Sequence, residues 1–146
     1  MGRDAYKEGV VTDRTSPDTC REDAWGGKAY VWIDEDNQIL RQRIVGDVHR
    51  ETSAWLAEQS KILARQLKDP LNVRILIEAS EGGKADADAR RDFARNVGRL
   101  DIKKVAFCRT NPLVRLVVRF MRIGSGNRKI RAFRSEREAL KWLSAE

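Results

Sequence analysis

The stretch Ile75–Arg90, ILIEASEGGKADADAR, runs from apolar residues through two glycines and a lysine into a segment of helical pattern. The short, nearly continuous apolar run NVRILIEAS, from Asn72 to Ser80, is typical of a strand buried on both faces. The segment ADADARRDFARNVGRL follows as a helix, with Ala89, Phe93, Ala94 and Val97 on one face and Asp86 and Asp88 in the first turn, where the helix dipole favours negative charge. Gly98 suits its C-terminal end. Strand, glycine loop and helix are also the layout of a phosphate-binding loop. That motif needs G-x-x-x-x-G-K followed by Ser or Thr, whose hydroxyl holds the metal. With its G-K laid on Gly83–Lys84, Glu78 falls where the first glycine belongs and Ala85 where the hydroxyl belongs. A carboxylate would face the phosphates and nothing would hold Mg²⁺, so the loop is not a nucleotide cradle.

The rest of the chain extends the alternation. KAYVWID (Lys28–Asp34), the turn signal EDN and QILRQRIVG ending at Gly46 read as a β-hairpin. A helix follows up to Asp69–Pro70, with Trp55, Leu56, Ile62, Leu63 and Leu67 recurring near helical spacing. IKKVAFC is a further strand. NPLVRLVVRFMRIG is a helix with Asn111 as N-cap and Pro112 in its first turn. RKIRAF is the last strand, and SEREALKWL the last helix, with Ser135 and Glu138 as a capping box. The order β-β-α-β-α-β-α-β-α predicts an α/β domain over residues 28–146: a mixed sheet of about five strands with an antiparallel N-terminal hairpin, and about four helices. Residues 1–27 are polar and read as a flexible arm.

The net charge of +7 is unevenly distributed. Residues 1–50 hold 8 Lys/Arg against 10 Asp/Glu, whereas residues 101–146 hold 12 against 4. That asymmetry suits an anionic partner or a solvated basic face. The start of the chain has no apolar core of a signal peptide, and no apolar run is long enough for a membrane span. The two cysteines, Cys20 and Cys108, lack metal-ligand spacing. A cytoplasmic location is the expectation.

No catalytic constellation emerges. Asp86, Asp88 and Asp92 interleave with Arg90, Arg91 and Arg95, the pattern of surface ion pairing rather than a metal site. His49 is the single histidine and has no recognisable nucleophile or metal partner. Cys108 reads as a small core residue. Neither a metal nor a cofactor is implied. The helix from Pro112 carries an apolar stripe of Leu113, Leu116, Val117, Phe120 and Met121, and a basic face of Arg115, Arg119 and Arg122. Arg109, Arg128, Lys129, Arg131 and Arg134 lie in the neighbouring loop and strand. Such a helix either rests on an anionic membrane or docks its stripe on the sheet and leaves the arginines in water. A specific nucleic-acid interface lacks its usual aromatic or zinc pattern.

From Lys28 to Leu143 the chain resembles the SpoIIAA-like branch of the STAS family, also described as STAS/SEC14-like. The resemblance rests on ILIEASEGGKADADARRDFA, KKVAFCRTNPLVRLVVRFM and IRAFRSEREALKWL, in that order and spacing. It implies a mixed sheet with helices packed on it and a bacterial regulatory module that docks another protein. It further implies a switch serine, at the start of the helix after the central strand, toggled by phosphorylation. Here that helix start reads Lys84-Ala85-Asp86-Ala87-Asp88-Ala89, with no Ser or Thr, and Ser80 lies earlier. The expected function is therefore a non-enzymatic binding module without the switch serine. Its protein-binding region would be Ser80, Lys84, Asp86 and Asp88. The alternative is anionic lipid binding through Arg115, Arg119, Arg122, Arg128, Lys129 and Arg131. The sequence leaves the oligomeric state open.

Overall fold

Among the described residues, six strands form one sheet in sequence order: β1 (Thr19–Glu22), β2 (Lys28–Asp34), β3 (Ile39–Val48), β4 (Val73–Ala85), β5 (Ile102–Cys108) and β6 (Ile130–Ala132). Four helices of the described residues connect or follow them: α1 (Arg50–Ala64), α2 (Ala87–Val97), α3 (Pro112–Ser125) and α4 (Glu136–Ser144). The computed structural model describes residues 19–22, 26–98, 101–125 and 128–145. β1, β2 and β3 pair antiparallel, and β3 to β6 pair parallel. The sequence reading assigned no strand before Lys28. Thr19–Glu22 nevertheless pairs with Lys28–Val31, so the sheet begins inside the segment read as an arm. The remainder of that arm, apart from Gly26 and Gly27, lies outside the described residues.

Parallel strands that add in one direction along a sheet need crossovers of one hand, and right-handed crossovers put every connecting helix on the same face. Accordingly α1, α2 and α3 pack together on one face, over Leu40, Val73, Ile75, Ile77, Val105 and Ile130. The other face carries α4, with Ala139 and Leu143 against Ile39, Leu76, Ala106 and Cys108. Leu76 and Ile77 are both buried, as expected for a strand covered on both sides. The hairpin turn is held by Asp34, whose carboxylate accepts the backbone N–H (3.1 Å) and side-chain amide (2.9 Å) of Asn37. Ser135 caps α4 as read, its hydroxyl accepting the Glu138 N–H at 3.2 Å.

The glycine segment is not a loop. β4 continues from Ser80 through Glu81–Ala85, beside Val45–Val48 of β3, with register irregularities on the way. Asp47 Oδ1 accepts the Lys84 N–H at 2.7 Å and holds the extension in place. Both glycines sit where another backbone or side chain comes close. A Cβ on Gly82 would lie 2.9 Å from Val114 Cγ2 and 3.1 Å from the Ala79 carbonyl oxygen. One on Gly83 would overlap the Asp47 carboxylate.

Candidate functional site

The start of α2 is the place where the resemblance expects a switch. Asp86 is the N-cap, and its Oδ1 accepts the Ala89 N–H at 2.7 Å. Its other oxygen lies 3.5 Å from His49 Nδ1, at the start of α1. Asp88, one turn in, pairs with Arg91 at 3.3 Å. The Ser80 hydroxyl donates to Glu78 Oε2 at 2.6 Å. The Lys84 side chain is exposed. The side chains of three of the four residues proposed for protein docking thus make local contacts within the fold. Arg95–Asp92 at 3.5 Å, like Arg91–Asp88, is of the expected surface ion-pairing kind, and Arg50 of α1 adds a contact to Asp92 at 3.8 Å. Among the described residues, no group of three or more His, Cys, Asp or Glu side chains could hold a metal ion.

α3 departs most from the sequence reading. Its buried side chains are Val114, Val118 and Met121, with Val117 half-buried beside them. Of the expected stripe, Met121 lies on this face and Val117 at its edge, but Leu113, Leu116 and Phe120 do not. Leu113 is 39% exposed, Leu116 46%, Phe120 55% and Ile123 73%. At about 100° per residue, the helix divides into three faces. One packs inward, one holds Leu113, Leu116, Phe120 and Ile123, and the third holds Arg115, Arg119 and Arg122, all exposed. Two apolar stripes were available in the sequence, and only packing against β4, β6 and α2 chose between them. The signal for the buried one was the i, i+4, i+7 spacing of Val114, Val118 and Met121.

The start of α3 is bracketed to the end of β4 by Asn111. Its Oδ1 accepts the Val114 N–H at 2.8 Å. Its Nδ2 donates to the carbonyls of Ser80 at 3.1 Å and Gly82 at 2.8 Å. Asn111 thereby ties the start of α3 to the end of β4. Asn111 was read only as a cap; nothing local in the sequence indicates its two distant acceptors.

The six basic residues expected to bind an anion do not converge. Arg131 pairs in register with Ala106, whose side chain packs with α4, so Arg131 lies on the opposite face of the sheet from α3. Its guanidinium stacks 5.3 Å from the Phe133 ring centre. Lys129 reaches back toward the Val97 carbonyl at the end of α2, at 3.4 Å. Arg115, Arg119 and Arg122 share a helix face as read, and Arg128 is exposed in the loop beyond. Arg115 also donates to the Thr110 carbonyl at 3.1 Å, which steadies the first turn.

On the α4 side, Arg41 lies between two carboxylates, 2.8 Å from Asp34 and 3.2 Å from Glu136. Burial alone would raise the Asp34 pKa, but hydrogen bonds from Asn37 and Arg41 outweigh it and hold the carboxyl below its ordinary value. Cys108 is fully buried in this layer. Burial first, then the charges of Glu136 and Glu78, push its thiol up to about 11, so it stays protonated and unreactive at neutral pH.

This sheet and helix arrangement is a SpoIIAA-like fold. An uncharacterized protein of the DUF3478 family from Shewanella loihica PV-4, with a SpoIIAA-like fold, matches at a TM-score of 0.57 and 20% identity, over 81% of this chain and 94% of that one. The anti-sigma factor antagonist SpoIIAA in its unphosphorylated form matches at a TM-score of 0.49 and 11% identity, over 81% of this chain and 99% of that one. Residues 32–145 match the model of a domain of unknown function, DUF7793, and the chain belongs to that family. No curated protein matches it.

Proposed function

We propose that this chain is a regulatory binding module whose exposed α3 docks on an anionic membrane surface. The observation that carries the reading is the exposure of Leu113, Leu116, Phe120 and Ile123 beside Arg115, Arg119 and Arg122. Exposed apolar side chains grouped on one element mark interaction surfaces, and arginines beside them suit acidic headgroups. No helix among the described residues is long and apolar enough to cross a membrane, and docking on the surface requires none. Burying a half-exposed Leu, Ile or Phe side chain contributes about 1 kcal/mol, and each arginine near an acidic leaflet about 1 kcal/mol. The helix therefore offers roughly 7 kcal/mol before the costs of association.

Flotation with phosphatidylglycerol-containing vesicles tests this at low and high salt. The chain is expected to float with anionic vesicles and much less with neutral ones. Replacing Leu116 and Phe120 together by Ser should weaken binding about 30-fold, from roughly 2 kcal/mol of lost insertion. Replacing the three arginines by Gln should remove most of the salt dependence. Failure to float with anionic vesicles at low salt, or flotation indifferent to both sets of changes, would overturn the reading.

The second reading is docking to another protein across the same surface, with Ser80, Lys84, Asp86 and Asp88 contributing. It is favoured by the Asn111 bracket, which ties the end of β4 to the start of the exposed helix. Capture of one protein partner, lost in the Leu116/Phe120 double variant and accompanied by no flotation, would select it.

A further inference from the structure

Between the sheet and helices α1, α2 and α3 lies a cavity of about 120 Å³. Its walls are mainly apolar and include Leu40, Leu56, Ile75, Ile77, Phe93 and Met121. A buried polar pair also lines it: Gln42 Nε2 donates to Ser60 Oγ at 3.0 Å. On the outer side of α1 and α2 lies a polar groove lined by Arg50, Glu58, Lys61, Asp92, Arg95 and Asn96. Ala57, Lys61 and Asn96 line both spaces, so groove and cavity adjoin at these three residues. Arg50 and Arg95 both point at the single carboxylate of Asp92, at 3.8 and 3.5 Å.

We propose that this cavity binds a small amphiphilic carboxylate, its apolar body among Leu56, Ile77 and Phe93 and its carboxylate in the groove at Lys61 and Asn96. Size, lining and charge each restrict the ligand. A dry apolar cavity of about 150 Å³ takes a benzene-sized molecule, so this smaller one suits an apolar body of about five carbons. Binding pockets combine an apolar lining with a few polar groups that fix orientation, and here those groups stand on one side. Three cations against two carboxylates give the groove a positive balance, and two guanidiniums already share one carboxylate, so an anionic head is favoured over a cationic one. The site is separate from the exposed face of α3 and does not rest on membrane docking.

The test is saturation-transfer NMR and calorimetry on the full chain with hexanoate, hexanol and acetate. Hexanoate is expected to bind about tenfold more tightly than hexanol, and acetate not at all. Lys61→Ala, at an exposed position, should reduce hexanoate to the level of hexanol and leave hexanol unchanged. Ala57→Leu, which narrows the junction, should weaken both. The Leu116→Ser/Phe120→Ser variant should bind hexanoate as the parent does, which separates the cavity from adsorption on α3. The proposal is overturned if hexanoate does not bind, if Lys61→Ala leaves the hexanoate-to-hexanol ratio intact, or if the α3 variant abolishes binding. Should Ala57→Leu fail to fold, Lys61→Ala still decides.

Discussion

Asn111→Ala should lower the melting temperature by about 8 °C. The side chain makes three hydrogen bonds, one to the first turn of its own helix and two to β4. Removing an N-cap Asn costs about 1 kcal/mol. The two amide bonds contribute about 1 kcal/mol each, and they differ in what their loss leaves behind. Ser80 is exposed, so water can replace the donor to its carbonyl. Gly82 is buried under Val114, so its carbonyl is less easily hydrated. The sum is about 2.5 kcal/mol, and a chain of this size loses roughly 3 °C per kcal/mol. Asn111→Ser separates the two roles, because its hydroxyl can still cap α3 but cannot reach both carbonyls. It should recover about 3 °C. Thermal melts followed by circular dichroism compare the three chains. A loss under about 2 °C for Ala would refute the bracket, and Ser melting with Ala would refute the cap.

Two further expectations follow from the geometry. Gly82→Ala should lower the urea midpoint by an amount equivalent to about 1–3 kcal/mol with an unchanged slope, because its Cβ would press on Val114 and the Ala79 backbone. A midpoint equal to the parent's would mean that β4 and α3 are not in close contact there. Asp34→Asn should destabilise the chain at pH 7. Because the Asp34 pKa is lowered in the folded state, its stabilisation is complete above the unfolded value near about 4 and fades as pH falls through the folded value. The gap between variant and parent in urea midpoints should therefore close on acidification below about pH 4, and a constant gap would count against the Arg41–Asp34 contact as its source.

Much of this fold was legible along the chain. Apolar runs bounded by turn signals, with Asn111 and Ser135 at helix starts, were enough to order every strand after Lys28 and every helix. β1 was missed because Thr19–Glu22 is a short run with no pattern of its own, and only its pairing with β2 makes it a strand. The extension of β4 was missed for a related reason. Glycines and polar residues signal a loop by composition, but here β3 and the Asp47 carboxylate supply partners for the backbone.

The candidate surface was only half legible. Sequence patterning determined that α3 is a helix with a basic face, since Arg115, Arg119 and Arg122 recur at helical spacing whatever the helix packs against. It also determined that the segment Ile75–Arg90 is no nucleotide cradle, because Glu78 and Ala85 lack the required groups. Which apolar stripe of α3 is buried was settled by tertiary packing: Val114, Val118 and Met121 compete with Leu113, Leu116 and Phe120 on equal hydrophobic terms, and only the neighbouring strands and helices distinguish them. The same holds for Arg131, whose side of the sheet follows from its register with Ala106. Local periodicity specifies which residues share a face; which face looks inward depends on partners distant in the chain.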